Sequence, residues 1–134
     1  MMEEKLVYLS PQWRDEVENR LKKELSPEKM KRISTSMTNI YKNCPDGKDR
    51  FLYFKCEDGR FTEVGVGEGE SPQAEFMITG DYETFAKISQ GKLKSQRALM
   101  GGKLKLRGNM VKALKLASLA DRLNKVLSQI PAEY

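Results

Sequence analysis

Leu52-Tyr53-Phe54-Lys55-Cys56-Glu57-Asp58-Gly59-Arg60-Phe61-Thr62-Glu63-Val64-Gly65-Val66 reads as two β-strands joined by an Asp-Gly turn, and it sets the class of the fold. Aromatic and β-branched residues fill both arms, and Asp58-Gly59 supplies the left-handed backbone that a tight hairpin needs. Register puts Leu52, Phe54 and Cys56 on one face. Thr62, Val64 and Val66 share the inward face of the other arm, with Lys55 and Glu63 turned outward.

Downstream, residues 67 to 72 form a Gly/Glu/Ser/Pro loop, after which Ala74, Phe76 and Ile78 alternate with Glu75, Met77 and Thr79 as a third, half-buried strand. Gly65, Gly67 and Gly69 leave a strand, open no helix and adjoin acidic residues, which argues against a phosphate loop. Asp81 can cap a helix carrying Phe85, Ala86 and Ile88, with Gly91 as its stop. Residues 96 to 100 read as a short helix or turn broken by Gly101-Gly102. Lys103-Leu104-Lys105-Leu106-Arg107 then alternates charge with leucine, as a strand with one basic and one apolar face does. Asn109 caps a last helix whose apolar residues, from Met110 through Leu114, Leu119, Leu123 and Leu127 to Ile130, cover a wide arc.

Upstream, Ser10-Pro11 is a helix start, and Trp13, Val17, Leu21 and Leu25 recur every four residues along one face. Ser26-Pro27-Glu28 repeats the signal, so a second helix with Met30, Ile33, Met37 and Ile40 or Tyr41 as its buried stripe is expected to run to about Asn43. Cys44-Pro45-Asp46-Gly47 then turns the chain. Residues 1–134 read as one domain: a helical segment over 1–43 and a sheet-and-helix core over 48–130, an α+β fold with four strands by pattern.

The chain holds 24 Lys+Arg against 19 Asp+Glu. Residues 1 to 80 carry 13 cations and 15 carboxylates, whereas residues 81 to 134 carry 11 and 4. That basic C-terminal body suits nucleic acid, an anionic membrane or a phosphorylated small molecule. Histidine is absent, which removes Ser-His-Asp and Cys-His catalysis and histidine-ligated metal. Cys44 and Cys56 have neither the spacing nor the number for a structural metal site or a disulfide framework, so no metal and no cofactor are expected. The acidic opening Met1-Met2-Glu3-Glu4-Lys5 lacks the pattern of a signal peptide, and the expected location is the cytoplasm.

The run Ala74 to Asp81, Phe85 to Leu93, Ala98-Leu99-Met100-Gly101-Gly102-Lys103-Leu104-Lys105-Leu106-Arg107-Gly108-Asn109 and Ala113 to Leu116, with Leu52 to Gly59 upstream, resembles the sterol carrier protein-2 family of sterol-binding domains. The resemblance covers about residues 48 to 118, and the Gly-Lys-Leu-Lys-Leu-Arg-Gly-Asn block is its most specific part. Where the family often has an aromatic in the short helix before that block, this chain has Leu99-Met100. The resemblance implies a five-stranded, largely antiparallel sheet covered on one face by helices. The fifth strand comes from the family, as does an apolar tunnel for a fatty acid, fatty acyl-CoA, sterol or isoprenoid.

Candidate tunnel residues are Leu52, Phe54 and Val64 from the hairpin, Phe76 and Ile78 from the third strand, and Phe85 from the helix after it. Leu99, Met100, Leu104, Leu106, Met110 and Leu114 complete the set. Met30, Met37 and Met77 add flexible thioethers suited to a mouldable wall. Lys103, Lys105 and Arg107, on the face opposite the two leucines, are candidates for the anionic head of the ligand or for acidic lipid headgroups, or serve as a solvated face that guards a sheet edge.

The expected activity is non-catalytic lipid carriage, with an accessory role beside a lipid-metabolising enzyme as the alternative and a homodimer left open. An enzyme would have to use Cys44 or Cys56 as nucleophile. A nucleic-acid module is disfavoured, because Phe51, Tyr53, Phe54 and Phe61 sit in the less basic hairpin and not among the lysines.

Overall fold

A computed structural model describes residues 5–134; the acidic opening Met1–Glu4 lies outside them. Two short strands, β1 (Leu6–Val7) and β7 (Ala132–Glu133), pair in parallel. Between them lie α1 (Pro11–Glu24), β2 (Thr35–Lys42), β3 (Arg50–Glu57), β4 (Arg60–Glu68) and β5 (Phe76–Asp81). There follow α2 (Tyr82–Ser89), α3 (Ser95–Met100), β6 (Leu104–Arg107), α4 (Met110–Lys115) and α5 (Ala117–Ser128).

The main sheet has five strands in the order β4-β3-β2-β5-β6, antiparallel throughout except for the β2–β5 pair. The α+β class, the five strands and the helical cover are as expected. The strand that the residue pattern alone does not supply is β2, and it falls where a second helix is expected.

The helix signal at Ser26 is locally obeyed: the Ser26 hydroxyl accepts from Lys29 N–H, and Met30 N–H donates to the Ser26 carbonyl. One turn later Lys31 and Arg32 enter the left-handed region, at φ 51° and 49°, and the chain leaves as a strand. Ile33, Met37 and Tyr41 are four apart, but they are also in step with a period of two, so their spacing fits either element. The intervening β-branched Thr35, Thr38 and Ile40 favour a strand. The helical segment expected over 1–43 is thus α1 alone.

In α1 the Ser10 side chain accepts from Trp13 N–H at 3.2 Å and Pro11 occupies the first turn. Trp13, Val17 and Leu21 are fully buried against β4 and α5. Arg14 secures the helix to the sheet by donating to the Val64 carbonyl at 2.5 Å.

The hairpin turn is as read, since Asp58 and Gly59 both have positive φ, 51° and 78°, and Glu57 pairs with Arg60. A Cβ on Gly59 would lie 2.6 Å from the Pro27 carbonyl oxygen, so the turn also needs glycine for space. The facing differs from the expected one: Phe61, not Thr62, is buried opposite Cys56, and a bulge at Lys55/Cys56 then passes over the exposed Thr62 and sets Val64 opposite Phe54. The expected last helix is two helices, broken at Leu116.

Candidate functional site

The inner face of the sheet and the helices α3, α4 and α5 do not close on each other, and a cavity of about 150 Å³ remains between them. Its floor is Met37 of β2, Phe54 and Cys56 of β3, Phe61 of β4, and the paired residues Ile78 and Leu106 of β5 and β6. Leu119 and Leu123 of α5 roof it, Met30 and Ile33 close one end, and Ala113 and Leu114 of α4 stand at its rim. Leu114 borders the cavity and is 63% exposed, so the mouth opens beside α4.

The polar wall residues Thr35, Ser36, Ser95 and Gln96 are few. A smaller chamber of about 50 Å³ adjoins it, sharing Met37, Ile78, Leu104 and Leu123 and adding Phe85, Asn39, Tyr41 and Ser89. Next to that chamber the Tyr8 hydroxyl bonds Tyr41 Oη at 3.0 Å and Ser89 Oγ at 2.7 Å. Burial pushes both tyrosine hydroxyls well above their ordinary range.

Of the twelve residues expected at the tunnel, Phe54, Phe76, Ile78, Leu99, Leu104, Leu106 and Leu114 line the cavity, and Phe85 lines the smaller chamber. Four do not. Leu52 and Val64 are buried on the hairpin's inner face but border neither void, because α1 packs over β4 at that end. Met100 and Met110 are solvent-facing, 87% and 46% exposed, because each sits at the end of a short helix that turns it outward. Among the other methionines, Met30 and Met37 reach the wall and Met77 does not.

Phe61, Leu119 and Leu123 are wall residues missing from the expected set. The two-residue turn is the available signal for Phe61, since pairing Glu57 with Arg60 puts Phe61 opposite Cys56.

Lys105 and Arg107 pair with Thr79 and Met77 and leave the sheet on the face away from the cavity wall; Lys103 lies in the exposed turn before β6. None of the three has an ion-pair partner among the described residues.

The wall thiol Cys56 is pushed up to about 11 by desolvation, and burial raises Cys44 as well. A nucleophilic cysteine needs the opposite shift. Among the described residues no cluster of Cys, Asp or Glu could hold a metal, and no helix is long and apolar enough to cross a membrane.

A five-stranded mixed sheet with an apolar cavity under its helices narrows the comparison, and the family model described as the SCP-2 sterol transfer family matches residues 16–121. The chain belongs to that family. The description of that family is one of sterol transfer.

Non-specific lipid-transfer protein-like 1 of Caenorhabditis elegans is 33% identical over 94 residues, covering 70% of this chain and 76% of that one. The human hydroxysteroid dehydrogenase-like protein 2 is 42% identical over 79 residues, 59% of this chain but 18% of its own. The matched region is thus about a fifth of that relative's length. The crystal structure of sterol carrier protein 2 superposes with a TM-score of 0.80 at 23% identity over 92% of this chain and 98% of the other. The solution structure of a possible sterol carrier protein from Thermus thermophilus gives 0.80 at 21% identity, with 98% and 94% covered. At these identities the likeness is one of fold.

Proposed function

We propose that this SCP-2 domain is a non-catalytic cytoplasmic carrier that holds the apolar chain of a fatty acid or fatty acyl ester between the sheet and α3–α5, its head group at the mouth beside α4. The observation that carries this reading is the cavity wall, made of leucine, isoleucine, phenylalanine, methionine and alanine with the Cys56 thiol and the four polar side chains of Thr35, Ser36, Ser95 and Gln96.

Size favours a single chain over four fused rings. A void of about 150 Å³ takes something like a benzene ring, so the rest of a ligand must extend through the mouth or displace flexible side chains such as Met30 and Met37. Burying ten methylenes at about 0.8 kcal/mol each gives about 8 kcal/mol gross, the scale of micromolar binding before ordering costs are deducted.

The test is native mass spectrometry of protein purified from cells, with organic extraction of whatever is released, and titration with a fluorescent fatty acid. A stoichiometric acyl lipid is expected. A protein that is empty and takes up no fatty acid rejects carriage.

One observation favours a second reading, in which the domain holds a lipid for an attached or associated enzyme: the hydroxysteroid dehydrogenase-like relatives contain the matched region within much longer chains. Co-purification of a lipid-metabolising enzyme with the loaded protein would support it.

A further inference from the structure

The inner face of β2 changes character along its length. Thr35 lies at the end nearest α4, where its hydroxyl donates to Glu75, itself paired with Lys112. Met37 follows in the floor of the main cavity, and then come Asn39 and Tyr41, which line the smaller chamber. From the mouth inward the order is polar, apolar, polar.

The inner polar end is not satisfied by the fold. Asn39 is only 9% exposed, and its Oδ1 has no hydrogen-bond partner among the described residues. A buried acceptor left unpaired is costly and rare. The hydroxyls beside it have the complementary excess. Tyr8, Tyr41 and Ser89 carry three protons, and the two bonds among them, Tyr8 with Tyr41 and Tyr8 with Ser89, use two. With Tyr8 donating to either neighbour, that neighbour's own proton is free to point into the chamber that Tyr41 and Ser89 both line.

An alcohol answers both groups, since it donates to Oδ1 and accepts from the free hydroxyl. A carboxylate would enter a chamber with no Lys or Arg in its wall and leave its charge unpaired. An ether or ketone only accepts, so Oδ1 would stay alone. Size agrees: about 50 Å³ exceeds the roughly 30 Å³ share of one water and falls short of the roughly 150 Å³ that takes a benzene ring.

We propose that the smaller chamber is a hydroxyl-recognition subsite and that the ligand is an acyl chain carrying an alcohol at the end remote from its head group. This rests on the carrier reading and narrows it. The head stays at the mouth beside α4, the methylenes cross Met37, and the ω-hydroxyl donates to Asn39 Oδ1. Thr35 to Asn39 is four strand residues, roughly 13 Å at about 3.3 Å each. That length of extended backbone holds about twelve bonds, so a chain of about twelve carbons or somewhat more reaches the amide.

The experiment is displacement of a bound fluorescent fatty acid by ω-hydroxy, ω-methoxy and unsubstituted fatty acids of twelve, fourteen and sixteen carbons, with circular dichroism on each protein. At the chain length that reaches the chamber, the ω-hydroxy acid should bind within about threefold of the unsubstituted acid or better. An apolar end wall would reject that hydroxyl by about tenfold to a hundredfold. The ω-methoxy acid, which cannot donate, should bind about tenfold more weakly than the ω-hydroxy acid. Asn39→Leu should move the ratio of affinities, hydroxy over unsubstituted, by about tenfold or more toward the unsubstituted chain.

Rejection of the ω-hydroxy acid at every length would overturn the subsite and show a chamber that holds water only, with carriage left standing. A folded Asn39→Leu that keeps the wild-type ratio would overturn it as well. Should that variant fail to fold, the hydroxy-to-methoxy comparison in the unmodified protein decides, and equal binding of those two acids rejects the subsite. An unmodified protein that takes up neither the fluorescent probe nor any of the acids would instead strike the carrier reading.

Discussion

Helices α1 and α4 use similar apolar content in opposite ways. In α1 three apolar residues spaced four apart are wholly buried, and polar groups fix the helix in place: Ser10 caps its start and Arg14 and Arg20 reach the carbonyls of Val64 and Gln129. In α4 the apolar residues stay in water, and among the described residues its side chains are held by one cap, Asn109 to Lys112 N–H, and one ion pair, Lys112 to Glu75 at 2.6 Å. The stripe in α1 makes the domain stable. The one in α4 borders the space that the domain keeps open.

The sharpest way to break this contrast is to delete side chains from each helix. Trp13→Ala should cost about 3–5 kcal/mol in urea unfolding, as the loss of a fully buried indole does. Val111→Ser should change stability by less than about 0.5 kcal/mol. Similar losses from the two would end the distinction.

Within the cavity wall the same contrast recurs. Leu104→Glu puts a charge at a buried position and should unfold the protein, whereas Leu114→Asp, at the exposed rim, should leave the dichroism spectrum intact and weaken fatty acid binding about tenfold. Wild-type binding by a folded Leu114→Asp would move the mouth elsewhere.

How far these roles are legible in the sequence differs by element. The β3–β4 turn and the α1 cap are local chemistry, and Asp58-Gly59 and Ser10-Pro11 announce them. β2 escapes a local reading because Ile33, Met37 and Tyr41 satisfy both periods and because what makes the segment a strand is its place between β3 and β5, which no local pattern states. The leucines of β6 reach the cavity by simple alternation. Met100 and Met110 do not, because whether an apolar helical residue faces a void or solvent depends on how short its helix is and where it ends.

A smaller effect follows from pH. Tyr8, Tyr41 and Cys56 are held neutral by burial, with folded values raised above the unfolded ones, so the stability they contribute is full at neutral pH and is lost as pH rises. The loss begins near the ordinary thiol value of 9.0 and deepens as pH rises through about 11, where burial has pushed Cys56, with burial raising Tyr8 and Tyr41 from their ordinary 10.0 as well. The urea midpoint should fall over that window, and a flat midpoint would contradict the burial of these groups.

The smallest effect belongs to Glu75, whose carboxyl is held below its usual range first by the Lys112 ammonium and then by the Thr35 hydroxyl. Its contribution is present above the carboxylate range and fades as pH falls through it. Because the pair is partly exposed, Glu75→Gln should cost only a few tenths of a kcal/mol, and it should loosen α4, seen as faster hydrogen exchange at residues 110–115 and not elsewhere.

The single parallel pair in the sheet has a consequence for how the chain reaches its structure. β2, β3 and β4 form a meander whose partners are joined by short connections, so their pairing closes small loops and can assemble early. β5 instead returns past two strands to lie beside β2, a non-local closure, and β6 can join only after it. The half of the sheet next to α1 is therefore the nucleus by topology. The half that completes the cavity wall is the last to form and, on partial unfolding, the first to let go.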